Sequence, residues 1–382
     1  MLFEPPKINY INDVLPFIKD KPGFVVKEKG WYTVIDYMYM SNDMFKHPIE
    51  RECRGLKFDT VSGRLLARPY HKFHNLNERD GYRTEDVDLT RPHVVLDKLD
   101  GSMVHTCPSQ LGLYLMTRMG ITEVAQKADK FLERNAIRYS RLFDALGWSE
   151  YTYIFEYVGP DNKIVLDYAK EDLILTAIRN ITNGTYVFHD ELVKLGEAFG
   201  IPVVKDVYLA DDVTKLQKEV VADTEDEGVV IRFDTGAMVK IKAEAYVRKH
   251  RSKDLVSTQK GVLTLILDKA VDDVLPQLDE ATGKKLVDYQ TQVNKHIAIL
   301  AKDCAEEVTK CKDLVQKDFA LHVQNHFIQT FQSILFNVRK GDDPYETVVK
   351  KIRSNMPTQS RAVEITKQLG LPAWTFSFFK EE

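Results

Sequence analysis

The sequence predicts an α+β fold in which an N-terminal domain of antiparallel sheets with flanking helices precedes an all-α C-terminal domain. Short segments of alternating apolar and polar residues, separated by turn residues, fill the chain from about 24 to 250. Helical patterns interrupt them without strict alternation, which favours α+β over a doubly wound sheet. Beyond about residue 255 the strand patterns stop and apolar residues recur at helical spacing. We expect two domains, 1–254 and 255–382.

The strand patterns occur in pairs and singly along the first domain. One hairpin is expected to turn at Glu28-Lys29-Gly30 and a second at Ser62-Gly63. Further strands are expected over 93–107, 111–118, 152–159, 172–180, 227–233 and 237–243. Helices are expected over 121–146 and 188–199.

The second domain is predicted from one long apolar periodicity. From 283 to about 338 apolar residues step by three or four, and charged residues fill the other positions. The segment "KGDDP" at 340–344 interrupts the pattern, and short helices are expected after it. The apolar positions are Leu286, Tyr289, Val293, Ile297, Leu300, Cys304, Val308 and Cys311.

Composition excludes several classes of protein. The chain has 382 residues, 44% hydrophobic and 29% charged, which is typical of a globular protein. Its formal net charge of −4 restricts any nucleic-acid site to a local patch. The four cysteines form no C-x-x-C pair, so reduced thiols in a cytoplasmic protein are expected. No signal peptide or membrane-spanning stretch is recognised, and we expect a monomer without membrane association.

A possible catalytic lysine lies in the segment Lys98-Leu99-Asp100-Gly101, directly after the apolar run "HVVL". One interpretation is a polar hairpin turn on the surface. The other is a lysine held as a nucleophile. A K-x-D-G pattern occurs by chance too often to decide alone, so the other segments of the chain have to support either interpretation.

Other charged residues follow in an order that favours the nucleophile. Glu156 lies within an apolar strand, and Glu227 lies at the start of another. Lys240 and Lys242 share one strand face because alternate residues point the same way, with Ile241 directed to the core. Arg54 in "ECRG" and Arg118 in "TRMG" complete the set. Each residue alone has an ordinary explanation at a strand edge, a solvated face or a surface ion pair.

Together these motifs resemble the covalent nucleotidyltransferases, which include ATP-dependent DNA and RNA ligases and mRNA capping enzymes. The resemblance is closer to the bacteriophage RNA ligase 1 family, typified by the tRNA-repair ligase of T-even phages. Tyr37 in "YTVIDYMY", Lys72 in "ARPYHKFHNLNE" and Tyr246 in "KIKAEAYVRKH" extend it. Leu99 replaces the usual glutamate, and His74 replaces the usual aromatic residue.

This resemblance implies an ATP-dependent RNA ligase that joins 5′-phosphate and 3′-hydroxyl ends through lysyl-AMP and RNA-adenylate. Residues 1–254 would be the adenylyltransferase domain, and 255–382 an RNA-specificity module. The implied substrate is broken RNA, such as a tRNA cut in its anticodon loop. An end-healing kinase-phosphatase would be a partner, and the cytoplasm of an infected host cell the location if the protein is phage-encoded.

The resemblance also assigns roles to individual residues. Lys98 would be the nucleophile, and Asp100, Lys240 and Lys242 would assist the chemistry. Glu156 and Glu227 would hold Mg²⁺, with Mn²⁺ as a substitute ion. Asp268, Asp272 and Asp273 are candidates for further metal ligands, against the simpler interpretation as acids of a helix start. The expected contacts to ATP are Tyr37, Arg54, Lys72, Gly101, Arg118, Glu156, Glu227, Lys240, Lys242 and Tyr246.

Two alternatives to this function stay open at this stage. A DNA ligase or capping guanylyltransferase would usually carry a β-rich domain after the K-x-K motif, whereas helical patterns follow here. A non-catalytic RNA-binding protein would have no need of Lys98, Glu156 and Glu227. The basic run 245–254 is either a solvated hinge or a contact to RNA phosphates.

Overall fold

The computed structural model describes residues 3–39, 41, 43–208 and 210–375. The contacts divide the chain into two compact units, one ending at Val247 and the other beginning at Arg248. The predicted boundary after residue 254 lies slightly further along and remains a prediction. Residues 1–2 and 376–382, which the predicted domains include, lie outside the described residues.

All strands of the described residues belong to the first unit and form three antiparallel sheets. The sheet orders are β1-β2-β3-β4, β10-β5-β11-β12 and β7-β6-β8-β9. The strands are β1 Phe24–Lys29, β2 Tyr32–Tyr37, β3 Leu56–Asp59, β4 Leu65–Ala67, β5 His93–Asp97, β6 Ser102–Ser109, β7 Gly112–Met116, β8 Tyr151–Val158, β9 Asp172–Asn180, β10 Asp206–Tyr208, β11 Gly228–Phe233 and β12 Met238–Lys242.

Helices flank these sheets in the first unit and account for the regular structure of the second. In chain order they are α1 Leu15–Ile18, α2 Pro48–Glu52, α3 Glu123–Arg134, α4 Ala136–Leu146, α5 His189–Phe199, α6 Val213–Ala222, α7 Glu244–Val256, α8 Gln259–Leu267, α9 Val271–Val274, α10 Glu280–Lys310, α11 Gln316–His326, α12 Gln329–Arg339, α13 Pro344–Ser354 and α14 Gln359–Gln368. The predicted α+β class, with helices alone towards the C-terminus, is confirmed.

The two predicted hairpins form as expected. Strands β1 and β2 pair from Phe24–Tyr37 to Lys29–Tyr32, and Gly30 at the turn has φ of +71°. Glycine adopts this left-handed conformation without the steric cost that a Cβ would bring. Strands β3 and β4 are joined by a turn in which Gly63 also has a positive φ, +69°.

The interpretation of Lys98–Gly101 as a hairpin turn is wrong. Strand β5 pairs with β10 and β11, whereas β6 pairs with β7 and β8. The chain therefore leaves one sheet after Asp97 and enters another at Ser102. The alternating pattern over 93–107 predicts strand throughout. It does not reveal that the first part of this segment belongs to one sheet and the second part to another.

Some predicted helices differ in extent. The helix expected over 121–146 is two helices, because the chain leaves helical geometry at Asn135, with φ of −115° and ψ of 20°. The helix expected over 188–199 is α5. The periodicity over 283–338 corresponds to three helices, α10, α11 and α12. Strand β10 and helix α6 were not predicted. Strand β10 has only three residues, whereas Val213, Leu216 and Val220 of α6 do recur at helical spacing and were the available signal.

The second unit has one apolar core built mainly from α8 and α10 to α14. Thr258 caps α8 and Asp279 caps α10, each accepting a hydrogen bond from a first-turn amide. The predicted positions Leu286, Tyr289 and Val293 are buried along α10. No helix among the described residues combines the length and the hydropathy that a membrane crossing requires.

Candidate active site

A cavity of about 660 Å³ opens between the second and third sheets of the first unit. Lys98 and Gly101 come from the segment that joins these sheets, and Glu156 comes from β8. Lys240 and Lys242 come from β12. Sequence segments more than 140 residues apart are thus brought together, as the ordered motif set predicts. The predicted residues that line the cavity are Tyr37, Arg54, Lys98, Gly101, Arg118, Glu156, Lys240 and Lys242.

Lys98 is held by the second sheet. Its backbone N–H donates to the carbonyl of Gly228 at 2.9 Å, which extends the pairing of β5 with β11. Its Nζ lies 2.5 Å from Oε1 of Glu227, and Lys242 Nζ lies 3.0 Å from the same oxygen. Glu227 is buried, whereas the Lys98 side chain is 21% exposed. One carboxylate therefore holds two lysines at the cavity wall.

Glu156 faces the same cavity from the third sheet. Burial raises the pKa of its carboxyl to about 8, although the charges of Lys98 and Arg54 oppose the shift. The ionised form of this carboxyl group is poorly solvated, so a nearby cation would stabilise it strongly. A Cβ on Gly101 would lie 2.5 Å from the Tyr157 carbonyl oxygen and 3.0 Å from Glu156 Cγ. Glycine at 101 therefore lets the lysine segment pass directly against β8.

Positive charge is concentrated beside the two lysines of β12. Burial, together with repulsion from Lys72, Lys98 and Arg54, lowers the pKa of Lys240 to about 7. Lys72 is buried, with its Nζ 5.5 Å from the Tyr37 ring centroid. Among the described residues that line the cavity, basic side chains outnumber acidic ones. A polyphosphate entering the cavity would therefore stabilise the charged form of Lys240.

Arg54 and Arg118 form the end of the cavity near the first sheet. The Arg118 guanidinium lies 4.4 Å from the Tyr37 ring centroid and donates to buried Asp36 at 2.9 Å. Burial lowers the pKa of Arg54, and the neighbouring Arg118 adds to this by repulsion. Two guanidiniums this close suit the oxygens of a phosphate group.

Asp100 and Tyr246 lie behind the cavity wall. The Asp100 carboxylate accepts N–H bonds from Val165 at 2.7 Å and Leu166 at 2.5 Å, and the Tyr246 hydroxyl donates to it at 2.7 Å. Asp100 is 1% exposed. In this arrangement it anchors the lysine segment to the 163–168 loop and to α7.

Aromatic and apolar side chains line a further part of the cavity wall. Tyr70 and Phe73 have ring centroids 6.0 Å apart, and Val230 and Met238 also line the cavity. Lys240 Nζ lies 5.7 Å from the Phe73 ring centroid, so the rings and the cations are neighbours. Arg232 is 4% exposed and donates to the Thr176 carbonyl at 3.3 Å. The rings suit a flat aromatic group, and the cations beside them suit phosphates.

The acids expected as additional metal ligands belong to the second unit. Asp268 caps the C-terminus of α8 and pairs with Arg353 at 2.6 Å. Asp272 and Asp273 lie in the first turn of α9. Their role at the metal remains a prediction. The basic run 245–254 lies within helix α7, where His250 pairs with Asp254 at 3.0 Å, and its contact to RNA also remains a prediction.

Three residues of the site region were missed by sequence reasoning. Asp36 orients Arg118, and Asp97 lines the cavity with a pKa that burial raises to about 6. Lys57 is fully buried and donates to the Gly55 carbonyl at 2.5 Å and the Arg118 carbonyl at 2.9 Å. A charged residue inside an apolar strand, as Asp36 is in β2, was the available signal, because a buried charge requires a partner.

The arrangement has the parts that nucleotidyl transfer to a lysine requires. One cavity is lined by the Lys98 amine, by further cations and by two aromatic rings. Covalent transfer through an amine uses such surroundings to neutralise the charge of the leaving phosphates. The fold and this site define a protein of the nucleotidyltransferase class.

Comparison with known proteins identifies the family. A family model described as "RNA ligase" matches residues 52–246, just over half of the chain. The chain therefore belongs to the RNA ligase family, whose members are enzymes.

Two curated relatives agree. A "Putative RNA ligase" of Thermovibrio ammonificans is 28% identical over 294 residues, covering 72% of this chain and 75% of the relative. "RNA ligase 1" of Bacteriophage TS2126 is 27% identical over 194 residues, covering 49% of this chain and 48% of the relative. A solved "Archaeal ATP-dependent RNA ligase - form 2" has a TM-score of 0.46 and 11% identity, covering 94% of this chain and 88% of its own. Likeness at that TM-score carries no weight here.

Proposed function

We propose that this RNA ligase uses ATP to join a 5′-phosphate to a 3′-hydroxyl, with Lys98 as the nucleophile. The observation that carries the proposal is the position of Lys98 Nζ. It lies at the cavity wall, paired with Glu227, with Lys242 on the same carboxylate and Lys240 also lining the cavity. An amine in a cavity that is lined by both cations and aromatic rings is suited to attack the phosphate next to a nucleoside.

The first step would form lysyl-AMP. The deprotonated Lys98 amine attacks the α-phosphorus of ATP, an N–P bond forms, and the P–O bond to pyrophosphate breaks. Lys240 and Lys242 neutralise the charge that develops on the leaving group. Arg54 and Arg118 would bind the outgoing phosphates, and Tyr70 and Phe73 would contact the adenine ring; all four line the cavity, which supports these roles.

The later steps would transfer AMP to RNA and then seal it. An oxygen of the RNA 5′-phosphate attacks the AMP phosphorus, the N–P bond breaks, and Lys98 regains its proton. The RNA 3′-hydroxyl then attacks the activated 5′-phosphate, a phosphodiester forms, and AMP leaves. Asp100 would keep Lys98 in register through these steps by fixing the segment between the sheets.

A divalent cation fits the carboxylates at this cavity. Glu156 is half-buried and lines the cavity, and its raised pKa, about 8, means that a neighbouring cation would favour its ionised form. Glu227 lies close enough for its charge to act on Glu156. Glu156 and Glu227 would hold Mg²⁺, or Mn²⁺ in its place, with waters completing its shell. Such an ion supplies charge neutralisation at the phosphates.

The helical segment 255–382 is proposed to select the RNA, because the cavity residues all precede it in the chain. The resemblance to the bacteriophage RNA ligase 1 family supports four further proposals. These are broken tRNA as the substrate, a kinase-phosphatase as a partner, a monomeric state and a cytoplasmic location. A DNA ligase or a capping enzyme is disfavoured by the family match and by the helices that follow β12 in the described residues.

The test is covalent labelling of the full chain with ATP radiolabelled in the α-phosphate. We expect a metal-dependent label with ATP and none with GTP, and the label should be labile in acid and stable in alkali, as a phosphoramidate is. Lys98→Ala and Lys98→Arg should both abolish the label, since a guanidinium stays protonated, whereas the surface variant Lys127→Ala should keep it. Label persisting on folded Lys98→Ala would overturn the assignment, and a label from GTP alone would indicate a capping enzyme.

A further inference from the structure

Three side chains of different metal-ligand types meet in the helical unit. Glu307 lies in the last turn of α10, Cys311 caps that helix, and His322 belongs to α11. His322 Nε2 lies 2.8 Å from Glu307 Oε1, and Cys311 Sγ lies 4.0 Å from the same oxygen. One ligand atom from each residue lies within 4.8 Å of the other two.

The fold holds these residues in place without a metal. Glu307 and Cys311 are four positions apart, so they share a helix face. The Cys311 N–H donates to the Glu307 carbonyl at 3.2 Å, and Arg339 of α12 donates to the Cys311 carbonyl at 3.2 Å. Cys311 is 6% exposed. The short link from α10 to α11 then brings His322 against both.

Further groups surround the cluster. The ring of His326, one turn along α11, lies 4.8 Å from that of His322. A cavity of about 530 Å³ is lined by Glu307 and His326 among others. Lys310 Nζ lies 3.6 Å from the second oxygen of Glu307, and its side chain is 70% exposed. It is therefore free to turn to solvent when another cation occupies the carboxylate.

We propose that Glu307, Cys311 and His322 form a Zn²⁺ site that fixes the junction of α10 and α11. Zn²⁺ accepts thiolate, imidazole and carboxylate ligands, and the thiolate and imidazole favour it over Mg²⁺ or Ca²⁺. Tetrahedral bonds of about 2.0–2.3 Å place neighbouring ligand atoms roughly 3.3–3.8 Å apart. Closing to that geometry requires each donor to move by about an ångström or less, and the fourth ligand is water.

Binding at this site has a defined proton balance. The Cys311 thiol releases its proton as sulfur bonds to the metal. His322 binds through neutral Nε2 and gives up its hydrogen bond to Glu307. The ordinary alternative is a His322–Glu307 ion pair, in which Cys311 only packs in the core and makes a weak contact to Glu307 at 4.0 Å. The two alternatives differ in whether the sulfur binds metal, so the sulfur is the atom to observe.

The test is a Co²⁺ titration of the full chain after removal of bound metal with a chelator. Sulfur bonded to Co²⁺ gives a near-ultraviolet charge-transfer band, and four-coordinate Co²⁺ gives intense visible bands. Both should appear in the wild type and disappear when Zn²⁺ is added. Any Co²⁺ held by carboxylates at the ligase cavity lacks the charge-transfer band, so the two sites are distinguished. Absence of that band in the wild type would overturn the proposal.

Matched variants identify the ligands. Cys311→Ser, which keeps the size of the side chain, should lose the charge-transfer band, whereas Cys304→Ala on the same helix should keep it. His322→Gln should raise the Co²⁺ concentration for half-saturation by more than the roughly 10–100-fold typical of losing a supporting residue, and His296→Gln should not. The proposal would be overturned if the charge-transfer band survived in Cys311→Ser, or if the Co²⁺ titration were unchanged in His322→Gln. The cluster would then be only a His322–Glu307 ion pair. If Cys311→Ser does not fold, the Co²⁺ concentration for half-saturation of His322→Gln tests the proposal.

Discussion

The two units place charge in opposite ways. Among the described residues of the first unit ten Asp, Glu, Lys or Arg side chains are buried, whereas the buried polar residues among the described part of the second unit are uncharged. Burying a charge costs several kcal/mol unless it is paired. The first unit therefore depends on the pairing of buried charges, two of which, Asp36 and Arg232, line the cavity, and the second is stabilised mainly by apolar contact. The buried charged residues are Asp36, Glu50, Glu52, Lys57, Arg68, Lys72, Asp100, Arg179, Glu227 and Arg232.

The largest effect is expected where the first unit depends on a paired buried charge. Glu52 accepts from Arg179 at 2.7 Å and lies 3.0 Å from Arg68, with all three side chains fully buried. Glu52→Gln leaves two buried guanidiniums without a counter-charge, so the free energy of unfolding should fall by about 3–5 kcal/mol. Urea denaturation would measure this.

The matched control is an exposed ion pair of the second unit. Lys302 and Glu306 lie 3.6 Å apart with exposed side chains. Lys302→Met should change the free energy of unfolding by less than about 1 kcal/mol. Equal losses for Glu52→Gln and Lys302→Met would contradict the difference drawn between the units.

A second prediction separates charge held for chemistry from charge held for folding. Burial lowers the pKa of Lys240 from an ordinary 10.5 to about 7, so its charged form opposes folding and its removal should not cost stability. Lys240→Ala should slow lysyl-AMP formation about 10²–10³-fold and should not lower the thermal midpoint. Single-turnover labelling and a thermal melt measure the two effects. Lys218→Ala, on the exposed face of α6, is the control, and a large loss of stability with normal labelling would reverse the role given to Lys240.

Acid should weaken the first unit through Glu52. Its pKa in the folded protein is held at about 2 by Arg179 and Arg68, which outweigh burial, against an ordinary 4.5. A carboxyl group whose pKa is lower in the folded protein stabilises the fold at pH values above its unfolded pKa. This stabilisation is lost as the pH falls from about 4.5 towards 2. Between pH 6 and pH 3 the wild type should lose about 2 kcal/mol more than Glu52→Gln. Urea denaturation at both pH values measures the loss. An equal loss of unfolding free energy in the wild type and Glu52→Gln would disprove the prediction.

The smallest effect on adenylation is expected from removal of the helical segment. Residues 1–254 contain the cavity and every described strand. This fragment and the full chain should form lysyl-AMP at similar rates, and only the full chain should prefer a broken structured RNA over a single strand. A folded fragment that cannot label with ATP would place part of the chemistry in the second segment, with Asp268, Asp272 and Asp273 as the first candidates.

Local patterns in the sequence predicted what is local in the structure. The hairpin at Gly30 and the buried face of α10 follow from periodicity. The separation of β5 and β6 into two sheets depends on partners that are distant in sequence, and no local pattern carries that information. The same holds for the site. The ordered motifs predicted Lys98 and Glu156 at the cavity, but the Glu227 pairing with Lys98 and the role of Lys57 depend on tertiary contacts.

The lysine segment between the two sheets gives the cavity one fixed wall and one adjustable wall. Lys98 and Glu227 are tied together within the second sheet by strand pairing. Glu156 belongs to the third sheet and approaches the lysine only across the close passage at Gly101. Any separation of the sheets would lengthen the distance from Lys98 to Glu156 and leave that to Glu227 unchanged. The first distance therefore reports how far the cavity is open, and the second serves as its internal reference.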